Sequence, residues 1–218
     1  MPTNLILNDK KASDTEVYLL RHGLTNYNQE DIFQGSSDIP LNEEGRREAK
    51  KVSERLYKEV KDIDKIYVSN LIRTQETIEP LCEKLDLEPE VLNDLAEIDG
   101  GEVEGLSLEI VDTDYAEYRQ VVYKYPFRVH YPHGESGEDV YKRAVRAFKH
   151  VLAENQGKTV ILVTHGFLLQ MLIIYLRREN PYNAKPIQIG NTALSRVLVS
   201  ADGDIKIDFL NDTSHLED

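Results

Sequence analysis

Two apolar runs, at residues 17–20 and 160–163, are each followed, after one further residue, by a histidine and then a glycine. Short runs rich in aliphatic and β-branched residues and closed by glycine are typical of buried strands in an α/β protein. His22 and His165 should therefore stand at strand ends. Because the carboxyl ends of strands in an open α/β sheet form the ligand crevice, two histidines far apart in sequence can meet there.

Helical spacing of apolar residues follows each predicted strand. One such segment opens at Asn42, which can cap a helix, and its apolar positions continue to Val60. Glu43 and Glu44 lie in its first turn, near the positive end of the helix dipole. Four further helices are predicted over residues 71–85, 107–125, 138–154 and 167–177.

The remaining segments predict further strands and the loops that join them. Strands are expected at residues 66–68, near Val91, and in a hairpin of residues 194–199 and 205–210 turned by Asp202 and Gly203. Loops are expected at residues 34–40, 97–105 and 131–134, which are rich in glycine, serine or proline. With no internal repeat or linker, the pattern predicts one α/β domain over residues 1–218. The polar ends, residues 1–14 and 215–218, are predicted to be loosely ordered.

Composition narrows the possible ligands. The chain has 39 acidic and 26 basic residues and a formal charge of −13, which argues against sequence-independent nucleic-acid binding. An anionic substrate would therefore need a local basic pocket. Cys82 is the only cysteine, so no internal disulfide forms. No signal-peptide core is evident and residues 167–176 are too short to cross a bilayer, so the sequence predicts a cytoplasmic protein without a membrane partner, as a monomer or homodimer.

Three predicted strands supply polar groups to one edge of the sheet. These groups are Arg21 and His22, then Ser69 followed by Arg73, then Thr164 and His165. Guanidinium groups match the oxygens of a phosphoryl group in bidentate fashion. Two arginines and two histidines in an acidic protein therefore predict a small phosphate ester as the ligand.

The motifs that surround these residues follow one another along nearly the whole chain. They are Leu20-Arg21-His22-Gly23 with Thr25 and Asn28, Phe33-Gln34-Gly35, Pro40-Leu41-Asn42 with Gly45, Ser69-Asn70-Leu71 with Arg73, Thr74 and Thr77, Leu95 with Glu97 and the glycine-rich stretch to Gly105, Gly134-Glu135-Ser136, Val163-Thr164-His165-Gly166, and Asn191-Thr192. In this order they resemble the histidine phosphatase superfamily, also called the phosphoglycerate mutase-like family.

The resemblance implies a fold and a role for each matched residue. The fold would be a single three-layer α/β/α domain with a mostly parallel central sheet and helices on both faces. His22 would be the nucleophile that becomes phosphorylated, and Glu97 the proton donor. The implied substrate-binding set is Arg21, Asn28, Gln34, Gly35, Arg73, His165 and Gly166. No metal ion or cofactor is implied.

Elementary chemistry agrees with those roles. An imidazole attacks only when neutral, and the neighbouring Arg21 and Arg73 disfavour a further positive charge on His22. Fixed donors from Arg21, Arg73 and His165 would stabilise the charge that spreads over the phosphoryl oxygens during transfer. A carboxylic acid such as Glu97 can protonate the leaving alkoxide and then take a proton from water.

Several assignments stay open at this point. Asp99, Glu102 and Glu104 lie in the same stretch as Glu97 and could carry the acid role instead. His130 and His133 suggest a metal site, but no partner ligand stands at suitable spacing, and a solvated loop is the simpler interpretation. The tyrosines at positions 115, 118, 123 and 125 could line a substrate mouth or pack in the core.

The resemblance covers both hydrolases and mutases. A mutase must shield its phosphohistidine from water, and phosphoglycerate mutases carry a tryptophan-rich signature and a longer insertion, whereas this chain has no tryptophan. We therefore predict a phosphatase acting on a small phosphomonoester, with 2,3-bisphosphoglycerate-dependent phosphoglycerate mutase as the alternative. A non-catalytic phosphate-binding module would have lost one of the matched residues, and a metal-dependent hydrolase would be inactivated by chelation.

Overall fold

The fold is built on one six-stranded sheet. A computed structural model describes residue 11 and residues 13–217. The strands are β1 (Thr15–Arg21), β2 (Ile63–Val68), β3 (Glu90–Val91), β4 (Thr159–Thr164), β5 (Leu194–Val199) and β6 (Ile205–Asp212). Their spatial order is β3-β2-β4-β1-β5-β6. The first four strands in chain order are mutually parallel and β5 runs antiparallel to its two neighbours, which confirms the mostly parallel sheet.

Seven α-helices accompany the sheet in the described part of the chain. They are α1 (Asn26–Gln29), α2 (Glu43–Glu59), α3 (Ile72–Leu85), α4 (Leu108–Asp114), α5 (Ala116–Lys124), α6 (Gly137–Glu154) and α7 (Gly166–Leu176). The predicted cap of α2 is confirmed, because the Asn42 side chain accepts a hydrogen bond from the Gly45 amide at 2.8 Å. Four of the predicted helices begin and end within one residue of their expected limits.

The central strands are buried on both faces, which produces the three layers. In β1, Val17 and Leu19 pack with the apolar side chains of α6 and α7. Tyr18 and Leu20 point to the other face and pack with α2 and α3. The α/β/α arrangement is therefore confirmed, and its cause is the continuous apolar run of a strand that has helices on both sides.

The register of the parallel strands brings their ends to one edge. Leu20 of β1 pairs with Val163 of β4, so Arg21 stands opposite Thr164. The His22 amide then donates to the Thr164 carbonyl at 2.9 Å, and the Ser69 amide donates to the Val163 carbonyl at 3.1 Å. The ends of β1, β2 and β4 therefore converge, as the strand-end argument predicts.

One predicted helix is wrong in extent. Residues 107–125 form two helices, α4 and α5, because Tyr115 leaves helical geometry with φ −119° and ψ 28°. The three residues before it, Asp112 to Asp114, are weak helix formers, so little opposes the break. The break lets the Tyr115 ring pack beside that of Tyr118, with ring centroids 6.3 Å apart.

β2 and β6 are longer than their apolar runs predict. β2 begins at Ile63 instead of residue 66, since its polar start still pairs with β4, where Asp64 accepts a hydrogen bond from the Thr159 amide at 2.8 Å. β6 continues to Asp212, where the backbone pairs with Leu194. Backbone pairing extended both strands beyond their apolar runs.

The structure describes only part of the two ends that are predicted to be loosely ordered. Residues 1–10 and 12 lie outside the described residues, but Asp14 is 8% exposed and its carboxylate accepts from the Lys11 amide at 3.0 Å. Near the other end, Ser214–Leu216 form a 3-10 turn and the Lys51 ammonium donates to the Leu216 carbonyl at 3.2 Å, while the loose order expected of residues 215–218 stays a prediction. Asp218 lies outside the described residues. Within the described chain, every helix is too short or too polar to cross a membrane.

Candidate active site

His22 is the buried centre of the converging strand ends. It directly follows β1 and is 1% exposed. Its Nδ1 lies 2.7 Å from the Gly23 carbonyl oxygen, which can only accept a hydrogen bond, so Nδ1 carries the proton. The lone pair is then on Nε2. This is the tautomer that a histidine nucleophile requires.

The loop at residues 191–192 fixes the backbone of His22. Its carbonyl oxygen accepts hydrogen bonds from the Thr192 amide and from the Asn191 side-chain amide, both at 3.2 Å. Asn191 also donates to Asn28 Oδ1 at 3.3 Å, so Asn28 lies beside the same loop. The sequence motifs contained both loop residues without assigning them this role.

His165 lies next to His22 at the end of β4. Their ring centroids are 5.2 Å apart, and His165 is 0% exposed. One nitrogen, Nε2, lies 2.9 Å from Ser69 Oγ, and the other, Nδ1, accepts from Arg73 Nε at 3.2 Å. The strand-end pair predicted from sequence is therefore brought together.

Arg73 is completely buried at the start of α3. Its Nη1 donates to the Ser37 carbonyl at 2.6 Å and its Nη2 donates to the Gly35 carbonyl at 2.7 Å. Since each Nη carries two protons, one N–H on each remains for a ligand. Gly35 adopts φ +52°, which glycine tolerates without strain, and so turns its carbonyl toward Arg73.

Arg21 has a hydrogen-bond donor for which the described residues supply no acceptor. Its Nη1 donates to the Ile189 carbonyl at 2.5 Å, but its Nε is buried without a partner. A Cβ at Gly166 would lie 3.3 Å from this Nε, so the glycine leaves it room. An unpaired buried guanidinium N–H is costly unless a ligand completes it, and an anion would do so.

The pKa shifts indicate which groups of the site are neutral and which are charged. Burial, followed by Arg21 and Arg73, holds the pKa of His22 well below its usual range. Burial and then Arg73 do the same to the pKa of His165. Burial also lowers the pKa of Arg73 to about 10, which still leaves it cationic at neutral pH. The site therefore combines neutral imidazoles with positive guanidinium groups.

Glu97 is placed at the N-terminus of α7. Its Oε2 accepts from the Phe167 amide at 3.0 Å, and its Oε1 accepts from the Leu168 amide at 3.1 Å. The same helix begins directly after His165. Glu97 also interacts electrostatically with Arg21 and Arg73. It therefore lies close to both arginines and at the start of the helix that follows His165.

The other carboxylates of this stretch have different surroundings. Asp99 accepts from the Gly101 amide at 2.8 Å, and Glu102 pairs with His133 on the surface at 3.2 Å. Glu104 accepts hydrogen bonds from Ser36 and Ser37. Of the four carboxylates, Glu97 is the one bound to the helix that His165 precedes.

Gln34 and the tyrosines complete the inventory of predicted site residues. Gln34 is 8% exposed and its Oε1 accepts from the Thr25 hydroxyl at 2.6 Å. Tyr115 and Tyr118 pack against the apolar core, which favours the packing interpretation for these two, whereas Tyr123 is exposed.

Arg143 was missed by the sequence reasoning. This buried arginine of α6 donates to the Glu97 carbonyl at 2.9 Å and pairs with Glu135 at 2.8 Å, so it holds the loop that carries the candidate acid. A signal was available, since Arg143 lies three residues after Val140 on the apolar face of an amphipathic helix.

Comparison with known proteins identifies relatives along nearly the whole chain. Residues 17–213 match the profile of the histidine phosphatase superfamily, branch 1. "Phosphoglycerate mutase-like protein 4" of Arabidopsis thaliana is 33% identical over 208 residues, which is 93% of this chain and 87% of that protein.

Solved structures give the same result for the fold. YhfR of Bacillus stearothermophilus has a TM-score of 0.86 and 29% identity, covering 93% of this chain and 100% of its own. A mutant phosphoserine phosphatase of Entamoeba histolytica, in complex with phosphoserine, has a TM-score of 0.79 and 26% identity, covering 93% and 99%.

Proposed function

The chain belongs to the histidine phosphatase superfamily, and from this premise we propose that it hydrolyses a small phosphomonoester through a phosphohistidine on His22. The observation that supports the proposal is that a neutral imidazole lies beside hydrogen-bond donors that have no acceptor. His22 Nε2 has a free lone pair, while Arg21 Nε and one N–H on each Nη of Arg73 have no partner among the described residues. This is the arrangement a phosphoryl group completes.

The first step transfers the phosphoryl group to the enzyme. The Nε2 lone pair attacks phosphorus, an N–P bond forms, and the bond from phosphorus to the ester oxygen breaks. The leaving oxygen takes the electron pair and a proton from the Glu97 carboxyl group. Arg21 and Arg73 bind the remaining oxygens, whose charge must be held in place during the transfer. His165 donates to one of these oxygens once its Nε2–H turns from the Ser69 hydroxyl, 2.9 Å away in this structure.

The second step returns the enzyme to its starting state. Water attacks phosphorus while Glu97 accepts one of its protons, and the N–P bond breaks with its electron pair returning to His22. Inorganic phosphate then leaves. The reaction as proposed uses only side chains of this protein, without a metal ion or organic cofactor.

The names of the relatives suggest the substrate class. Phosphoglycerate, in the name of the Arabidopsis protein, and phosphoserine, bound in the Entamoeba structure, each carry a carboxylate near the phosphate. We therefore propose a small carboxylated phosphometabolite as substrate. These names also keep the mutase alternative as an outcome for experiment to decide.

The experiment begins with His22→Ala and an aryl phosphate. The change should lower turnover by about a thousandfold or more, because no other group replaces the nucleophile. Acid-labile phosphoenzyme should form on the unaltered protein and be absent from the variant. His150→Ala, at an exposed position of α6, is the matched control and should keep full activity.

The same preparations decide between hydrolase and mutase. Release of inorganic phosphate from 3-phosphoglycerate and phosphoserine is measured beside interconversion of the phosphoglycerates. Phosphate release faster than interconversion supports the phosphatase, and the reverse supports the mutase. Full activity of His22→Ala, or an acid-stable phosphoserine, would overturn the covalent mechanism.

A further inference from the structure

Glu104 connects two loops of the candidate site through four hydrogen bonds. Its Oε1 accepts from the Ser36 amide at 2.6 Å, from the Ser36 hydroxyl at 2.9 Å and from the Gly100 amide at 2.9 Å. Its Oε2 accepts from the Ser37 hydroxyl at 2.6 Å. One carboxylate thus joins the loop at residues 35–37 to the loop that begins with Glu97.

The loop at residues 35–37 in turn holds Arg73. The carbonyls of Gly35 and Ser37 accept from the two Nη groups of Arg73, on either side of the residue whose amide Glu104 binds. Gly35 and the Glu104 carboxylate pack closely, because a Cβ at Gly35 would lie 2.2 Å from Glu104 Oε1. A displacement of this loop would therefore change the direction of the Arg73 guanidinium.

We propose that Glu104 is a positioning residue for phosphoryl binding, which acts by fixing the loop at residues 35–37 so that the free N–H groups of Arg73 face His22. This inference rests on the proposed function. Glu104 is assigned no catalytic role, since its hydrogen bonds run to Ser36, Ser37 and Gly100 of the two loops and not to the helix that follows His165. Its negative charge also favours the cationic form of Arg73.

The role predicts an effect on phosphate affinity. Without the carboxylate, the amides of Ser36 and Gly100 lose their acceptor and the two loops are no longer joined. Arg73 then keeps its charge but loses its fixed direction. A misplaced donor binds the phosphoryl oxygens more weakly, and displacements near 1 Å can cost up to about a hundredfold in rate.

The test compares Glu104→Ala, Glu104→Gln and Glu102→Ala, with inorganic phosphate as the probe. Glu104→Ala should raise both the KM for an aryl phosphate and the inhibition constant of phosphate by about tenfold. Glu104→Gln keeps one acceptor oxygen for the two amides and should recover most of the loss. Glu102→Ala removes an exposed carboxylate two residues away and should leave both constants within about twofold of the unaltered protein.

The outcomes separate this inference from the proposed function. A purely structural role of Glu104 would lower the fraction of active enzyme without moving KM or the inhibition constant, and that result would overturn the inference. If the unaltered protein releases no phosphate from any ester, the proposed function fails, and calorimetric titration with phosphate still tests Glu104. If Glu104→Ala does not fold, Ser37→Ala removes one of the four bonds and should weaken phosphate binding in the same direction, whereas unchanged binding would contradict the proposal.

Discussion

At the residue scale, burial controls the chemistry of the two histidines. In water an imidazole is half protonated near pH 6.5, and a protonated His22 could not attack phosphorus. The fold removes His22 and His165 from solvent and places arginines beside them, so both pKa values lie well below that range. The proposed nucleophile is then neutral without a separate base.

This arrangement links stability to pH. In the unfolded chain each imidazole regains its ordinary pKa, so below about pH 6.5 the unfolded state binds more protons than the folded state. The free energy of unfolding should therefore fall as the pH drops below this value. Each buried histidine should contribute a loss of about 1.4 kcal/mol between pH 7.5 and 5.5.

Denaturation of His165→Asn in urea at the two pH values tests the link. The variant should lose about 1.4 kcal/mol less than the unaltered protein between pH 7.5 and 5.5. Thr74→Val, at a buried neighbour that does not titrate, should lower stability equally at both pH values. A pH dependence of His165→Asn identical to that of the unaltered protein would show that folding leaves the pKa of His165 unchanged, and would contradict the link.

At the element scale, α7 organises the acid side of the site. Its first turn supplies the amides of Phe167 and Leu168 to Glu97, and unpaired amides at a helix N-terminus favour an anionic partner. Gly166 at its start leaves space for Arg21. One short apolar helix therefore fixes the candidate acid relative to Arg21, a proposed phosphoryl-binding residue.

Glu97→Gln should separate substrates by their leaving group. An aryl oxide leaves without a proton, whereas an alkoxide needs one, so the change should cost about a hundredfold in kcat/KM for an alkyl phosphate and less than about tenfold for an aryl phosphate. The neighbouring surface change Glu102→Gln serves as control and should affect neither substrate. Equal losses on both substrates would assign the acid role to another group.

The elements also show what sequence can and cannot predict. The meeting of His22 and His165 was predictable because strand periodicity places their segments and parallel register brings strand ends together. Arg73 lies on a helix, and only its place in the set of matched motifs drew attention to it. The contact of Glu104 with Ser36, on which its proposed role rests, was not predictable, since it joins two irregular loops 68 residues apart in sequence. The break at Tyr115 was missed because the spacing of apolar residues along the chain does not show which tertiary contacts end a helix.

At the scale of the whole molecule, the loop that binds the His22 backbone is connected to the C-terminal segment and to α2. Thr192, whose amide donates to the His22 carbonyl, is fully buried at φ +48°, and its hydroxyl lies 3.2 Å from His215 Nε2. His215 is held in turn beside Arg55 of α2, which pairs with Asp212 of β6 at 2.7 Å. Burial, with Arg55 nearby, lowers the pKa of His215 to about 4, so it is neutral at pH 7.

This connection predicts that the C-terminal segment around His215 affects turnover through Thr192, without contact to the substrate. His215→Ala leaves the Thr192 hydroxyl without its partner and should lower kcat by about threefold to tenfold with little change in KM, because the His22 backbone is disturbed while Arg73 is not. Unfolding free energy should fall by about 1 to 2 kcal/mol. His215→Gln, which can still bond to Thr192, should restore most of kcat. If instead kcat stays unchanged while stability falls, the segment only braces α2 and β6, and the position of His22 depends on the loop at residues 191–192 alone.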